Sequence, residues 1–208
     1  MYVCAYVYVY SIRTIYASHP YMCIQDAGRL LENGDEDSLT YGEIEFVPFL
    51  HLLGRLNLAP GGVFCDLGAG SGRAVFAAAL TGLFRTCLGV ELLPHLCAAA
   101  EGLRVALHRH AAAHGVSEVS LPEIAFVEAD LANAAVWAHA DTVYVASLCF
   151  SDSLMQALVA AGAGLRPGAR MLSLERLPVE SRRFFALDGC EQMVMSWGEC
   201  DVYLYRRL

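Results

Sequence analysis

The sequence predicts a doubly wound α/β fold, in which a mostly parallel sheet of seven strands ends in an antiparallel hairpin. Three observations carry this. Apolar strand-like runs near 63–67, 86–91, 123–129, 141–147 and 168–175 alternate with helical segments near 72–82, 94–114 and 151–163, the pattern of a parallel sheet covered by helices on both faces. A glycine-rich turn, Gly68-Ala69-Gly70-Ser71-Gly72, follows the first of those strands. The chain closes with two further strand-like runs, Cys190 to Ser196 and Cys200 to Arg206, joined by the hairpin-compatible link Trp197-Gly198-Glu199.

Upstream of this pattern, Met1 to Tyr10 places tyrosines 2, 6, 8 and 10 on one side of an extended chain. That run lacks a preceding basic residue and is far shorter than the roughly 20 residues of a membrane span, so neither a signal peptide nor an anchor is expected. Tyr21 to Glu32 can form a short helix, and the acidic, turn-rich Asn33-Gly34-Asp35-Glu36-Asp37-Ser38 marks a boundary. Residues 1–40 are accordingly read as an N-terminal extension and 41–208 as one domain. Within the latter, Glu43 to Leu58 carries Phe46, Phe49, Leu50, Leu53 and Leu56 at helical spacing, and Pro60-Gly61-Gly62 stops it before the first core strand.

Composition narrows the chemistry. With 56% hydrophobic and 17% charged residues over 208 positions, the chain can bury a large core. A net charge of −8 argues against direct nucleic-acid binding, which rests on neutralising phosphates. All fourteen basic residues are arginines, which excludes a P-loop lysine, a Schiff-base lysine and a Ser–Lys dyad. The eight cysteines are scattered without a C-x-x-C pair, so no zinc site, redox dithiol or disulfide framework is implied, and a reducing cytoplasmic or nuclear setting is expected. His108, His110 and His114 form a cluster without the carboxylate of an H-E-x-x-H site and read as the polar face of a long helix; no metal is expected.

The segment Val63 to Leu67 enters the glycine turn through Asp66, and Arg73 opens the next helix. Glycines there let the backbone approach a ligand closely while free helix N–H groups face the turn, as in a nucleotide-cofactor cradle. Glu91 ends the second strand about 20 residues later, where a carboxylate can accept both ribose hydroxyl protons. By itself the turn also fits a nicotinamide-dependent oxidoreductase. Asp66, the early third glycine and the acidic strand end Glu128-Ala129-Asp130-Leu131 favour another class. Asp130 can accept from an adenine amino group, or it can cap a helix over Ala132 to Ala138.

These features resemble the class I S-adenosylmethionine-dependent methyltransferases, with their Rossmann-like sheet and terminal hairpin. The likeness narrows at Tyr41-Gly42-Glu43 and at Val145-Ala146-Ser147-Leu148-Cys149-Phe150 with Gly168-Ala169-Arg170, which are similar to segments of the DOT1-type protein lysine methyltransferases. The resemblance implies S-adenosyl-L-methionine as cofactor and a protein lysine, possibly of a histone, as acceptor. It places Tyr41, Glu43, Asp66, Gly68, Gly70, Glu91, Asp130, Leu131 and Ser147 at the cofactor, and Tyr41, Ser147 and Phe150 at the chemistry, Tyr41 and Phe150 lining an acceptor channel. Ser147 and Ala146 stand where the family carries asparagines, so a small-molecule acceptor and a catalytically silent cofactor-binding protein are the alternative expectations. Cys149 at this site reads as packing rather than as a nucleophile, since no histidine or orienting acid accompanies it.

Overall fold

The computed structural model describes residues 44–113 and 122–208. The expectations for residues 1–40, for the Tyr41-Gly42-Glu43 loop and for His114 lie outside the described residues. Seven strands form one sheet: β1 (Gly62–Leu67), β2 (Phe84–Glu91), β3 (Glu123–Glu128), β4 (Thr142–Val145), β5 (Arg170–Ser173), β6 (Phe185–Met195) and β7 (Gly198–Arg207). Their order is β3-β2-β1-β4-β5-β7-β6. The first five run parallel, whereas β7 pairs antiparallel with both β5 and β6.

Among the described residues four helices cover the faces: α1 (Phe46–Arg55), α2 (Arg73–Leu80), α3 (Pro94–Ala113) and α4 (Asp152–Gly162). Central strands β1, β4 and β5 are buried on both faces because helices flank them, and their sequences are correspondingly apolar. On one face Phe49 and Leu53 of α1, Phe76 of α2 and Leu103 and Leu107 of α3 pack over Phe64 and Tyr144. On the other, Leu158 and Val159 of α4 and the indole of Trp137 pack over Cys65, Leu67 and Val143. The sheet therefore reverses its winding between β1 and β4, the switch point at which ligands of such folds bind.

Local chemistry sets the boundaries. The backbone turns through Asn57 at φ 50° after α1, which shortens that helix relative to the expected Glu43 to Leu58 because left-handed backbone cannot continue it. The α4 start is capped by Ser151 Oγ, which accepts from the Leu154 amide at 3.4 Å. At the opposite edge from the glycine turn, Asp141 Oδ2 accepts the Val63 amide at 2.8 Å and the carboxylate also meets Arg166 at 2.5 Å, tying β1 to β4 and β5. The hairpin is longer than its sequence signal: β6 begins at Phe185, since a bulge between Leu187 and Gly189 lets an irregular, partly polar stretch stay in register. No helix among the described residues is long and apolar enough to cross a membrane.

Candidate functional site

The parallel register brings the carboxyl ends of the central strands to one edge, with Leu67 beside Val90 and Val145, Glu91 beside Glu128, and Val145 beside Ser173. Asp66, Gly68, Gly70, Glu91, Asp130, Leu131, Ser147 and Phe150 all stand on these ends or on the loops leaving them. Tyr41 and Glu43 lie outside the described residues.

The glycine turn is built from backbone bonds that only flexible residues permit. Gly68 and Ala69 donate to Val90 O at 2.8 and 3.0 Å, pulling the chain sharply over β2. Gly68, Gly70 and Gly72 adopt φ of 78°, 54° and 86°, the left-handed region that L side chains rarely enter. A Cβ on Gly68 would meet nothing within 4 Å, so the space above it is open. Gly72 differs: a Cβ there would lie 2.5 Å from Phe126 Cζ, and one on Gly89 would lie 2.5 Å from Phe126 Cδ1. The Phe126 ring fills the space under the turn, against Phe76 at 5.5 Å between centroids.

Glu91 locks the turn. Its Oε2 accepts the Gly70 amide at 2.7 Å and its Oε1 the Leu93 amide at 2.9 Å, both in buried surroundings. Each carboxylate oxygen keeps a further lone pair for a donor.

Asp66 is 3% exposed, and its Oδ1 has no hydrogen-bond partner among the described residues. Burial, and after it the negative charge of Glu91, push its carboxyl up to about 8. Beside it in register, on the same face, is Tyr144, 2% exposed, whose hydroxyl is likewise unpartnered. Burial, and next the proximity of Asp66, raise the Tyr144 phenol well above its usual range, so it stays protonated. The sequence reading missed Tyr144; the available signal was a lone phenol in the otherwise aliphatic and threonine-containing strand Thr142-Val143-Tyr144-Val145, adjacent to an acidic strand end.

At the other loops, Asp130 is exposed and its Oδ1 accepts the Ala132 amide at 2.8 Å. The capping alternative is thus present as a local turn, but the helix that this alternative placed over Ala132 to Ala138 is only a 3₁₀ turn at Ala134–Val136. The cause is Trp137, whose indole N–H donates to Leu131 O at 2.8 Å and folds the segment inward. Leu131 and Phe150 are both half-buried against the face covered by α4.

Ser147 is fully buried, and its hydroxyl joins β4 to the end of β5. It accepts the Glu175 amide at 3.0 Å and shares a 2.8 Å hydrogen bond with Ser173 Oγ. Two of its three hydrogen-bonding positions are taken within the protein. Arg73, at the start of α2, places its guanidinium over the Phe46 ring at 5.0 Å, a contact that moderates an otherwise unfavourable charge at a helix N-terminus. His108 Nδ1 meets Arg104 O at 2.8 Å, and no group of metal-binding side chains occurs among the described residues.

An unsatisfied buried carboxyl oxygen, an open cradle over Gly68 and a carboxylate with spare lone pairs on the next strand suit a ligand carrying a cationic amine and a ribose. A family model described as histone methylation protein DOT1 matches residues 22–194. Two curated relatives, both named histone-lysine N-methyltransferase, H3 lysine-79 specific, are 31% identical. That of Debaryomyces hansenii aligns over 137 residues, 64% of this chain and 12% of that protein. That of Candida albicans aligns over 140 residues, 65% of this chain and 10% of that protein. The chain spans about a tenth of the length of these curated relatives. Among solved structures, TrmN of Thermus thermophilus superposes with a TM-score of 0.55 at 20% identity, covering 79% of this chain and 52% of that one. The tRNA m1A22 methyltransferase TrmK of Bacillus subtilis does so with a TM-score of 0.53 at 15% identity, covering 76% and 64%. At these identities the likeness concerns the Rossmann-like methyltransferase fold alone.

Proposed function

The chain belongs to the DOT1 family of histone methylation proteins, and from that premise we propose that it is an S-adenosyl-L-methionine-dependent methyltransferase acting on a lysine side chain of a protein, a histone being the first candidate. The observation that carries the reading is the family match over residues 22–194, supported by the buried, unpartnered Asp66 oxygen beside the glycine turn.

In this reading residues 41–208 form the catalytic domain and 1–40 lead into it. Asp66, Gly68 and Gly70 hold the methionine and ribose end of the cofactor, Glu91 takes the ribose hydroxyls, and Asp130 with Leu131 frames the adenine. Tyr41 and Glu43 close over the methionine end. Bound S-adenosyl-L-methionine supplies an already activated methyl group on a sulfonium, so the protein's task is positioning and exclusion of water. Tyr41 and Phe150 line an apolar channel that desolvates an incoming ammonium and favours loss of its proton. Ser147 contributes by holding the ends of β4 and β5 together. Its commitment to Ser173 and Glu175 is also the observation that favours the second reading, a cofactor-binding protein without transfer activity.

The relatives' names point to a nuclear setting. The net charge of −8 means that contact with nucleic acid would come from elsewhere than this chain's overall charge. The decisive experiment is transfer of radiolabelled methyl from S-adenosyl-L-methionine into recombinant nucleosomes, free histones and a fractionated lysate. Label in a histone lysine is the expected result. Label confined to small molecules, or NAD binding without binding of the methionine cofactor, overturns the reading.

A further inference from the structure

Asp66 and Tyr144 are partners across the β1–β4 pairing at the switch point of the sheet. Both project to the face covered by α1, α2 and α3, and each buries one polar atom, Asp66 Oδ1 and Tyr144 Oη, that has no hydrogen-bond partner among the described residues. Such orphans cost free energy in the free protein, and two of them side by side at the ligand edge mark a place where polar groups of a ligand complete the bonding.

The two atoms are chemically complementary to one kind of group. Asp66 becomes an acceptor for a cation once an ammonium placed beside it favours loss of its proton, and Tyr144 is a neutral phenol donor whose ring is held edge-on against Phe49 at 4.9 Å between centroids. An α-amino acid carries both counterparts on a single carbon, an ammonium and a carboxylate. We propose that Tyr144 is a specificity-determining residue for the amino-acid end of the cofactor: its hydroxyl donates to the ligand's carboxylate while Asp66 accepts from the ammonium. The inference rests on the cofactor reading above and extends it to a residue that the sequence did not single out. The charged and titratable groups around the pair favour the ammonium half of this assignment. Glu91 on β2 adds negative charge near Asp66, while Cys65 on β1 is buried and held as a thiol. Cys200 on β7 adds a further influence that keeps the phenol protonated, and Arg73 on α2 stacks on Phe46.

The test measures affinities of two probes by calorimetry: S-adenosylhomocysteine, which has the amino-acid end, and 5′-methylthioadenosine, which lacks it. Tyr144→Phe is expected to weaken S-adenosylhomocysteine about tenfold, the effect of losing one hydrogen bond to a charged group. It should leave 5′-methylthioadenosine within about twofold. The melting temperature of the free variant should hold or rise, because an unsatisfied buried hydroxyl has been removed. Equal losses for both probes, or no loss for either, overturn the proposal. If the unsubstituted protein binds neither probe, the cofactor reading itself fails, and the proposal with it.

Discussion

Glu91 and Gly70 are joined by a buried 2.7 Å hydrogen bond in which the amide of the glycine turn donates to the carboxylate that ends β2. The same side chain accepts from Leu93 at 2.9 Å. One carboxylate thus shapes the turn at the edge where the proposed cofactor would lie, so the proposal couples structure and binding at this residue.

Replacing Glu91 tests that coupling. Glu91→Ala leaves two backbone N–H groups without their acceptor and should lower stability by about 1–3 kcal/mol for each that stays buried and dry. Glu91→Gln retains one acceptor oxygen and should lose about half as much, while both variants lose at least about tenfold in affinity for S-adenosylhomocysteine. Urea denaturation and calorimetry on the same samples check the two effects.

The Asp66 carboxyl predicts an unusual pH dependence. It ionises near pH 4 in the unfolded chain and at about 8 in the folded one, so between these values the folded state holds the extra proton. Its contribution is fully present below about pH 4, declines as pH rises, and is gone above about 8. Urea midpoints should therefore fall across that window in the natural chain and fall less in Asp66→Asn, which should be the more stable of the two at pH 9. Parallel pH profiles would show that the buried carboxyl is already ionised.

Two glycines of one turn should respond differently. Gly72→Ala combines left-handed backbone with a clash against Phe126 and should cost about 2–4 kcal/mol, part of it recovered when Phe126→Leu is added. Gly68→Ala meets open space and should cost about 1–2 kcal/mol from backbone strain alone, while cofactor affinity collapses because the new methyl enters the cradle. Melting temperatures and calorimetry separate the cases.

The acceptor channel is tested by the Phe150→Ala, Tyr41→Ala double variant. Methyl transfer should fall by two orders of magnitude or more if desolvation of the acceptor is lost, with S-adenosylhomocysteine affinity changed less than tenfold. Undiminished transfer in a variant that still binds cofactor removes both residues from the channel.

Much of the fold was readable before any coordinates. Alternating apolar runs, Pro60-Gly61-Gly62, the glycine turn and the terminal hairpin are local signals, each produced by a few neighbouring residues whose backbone preferences agree with the final structure. The misses fall where distant contacts override local preference. Ala132 to Ala138 has helical composition, yet Trp137 is drawn into the core and bonds Leu131 O, leaving a 3₁₀ turn. The start of β6 is hidden because its pairing with β7 passes through a bulge.

The candidate site divides in the same way. By itself, the sequence determined the glycine cradle, the acidic strand ends Asp66, Glu91 and Asp130, and the family likeness, because each is written within a few contiguous residues. Only the tertiary structure decided what those residues touch. It set Asp66 beside Tyr144, committed Ser147 to Ser173, 26 residues away, and made Gly72 and Gly89 the room for Phe126. The physical reason is register: which side chains meet across a parallel sheet depends on how strands far apart in the chain align, and that alignment belongs to the packed core as a whole.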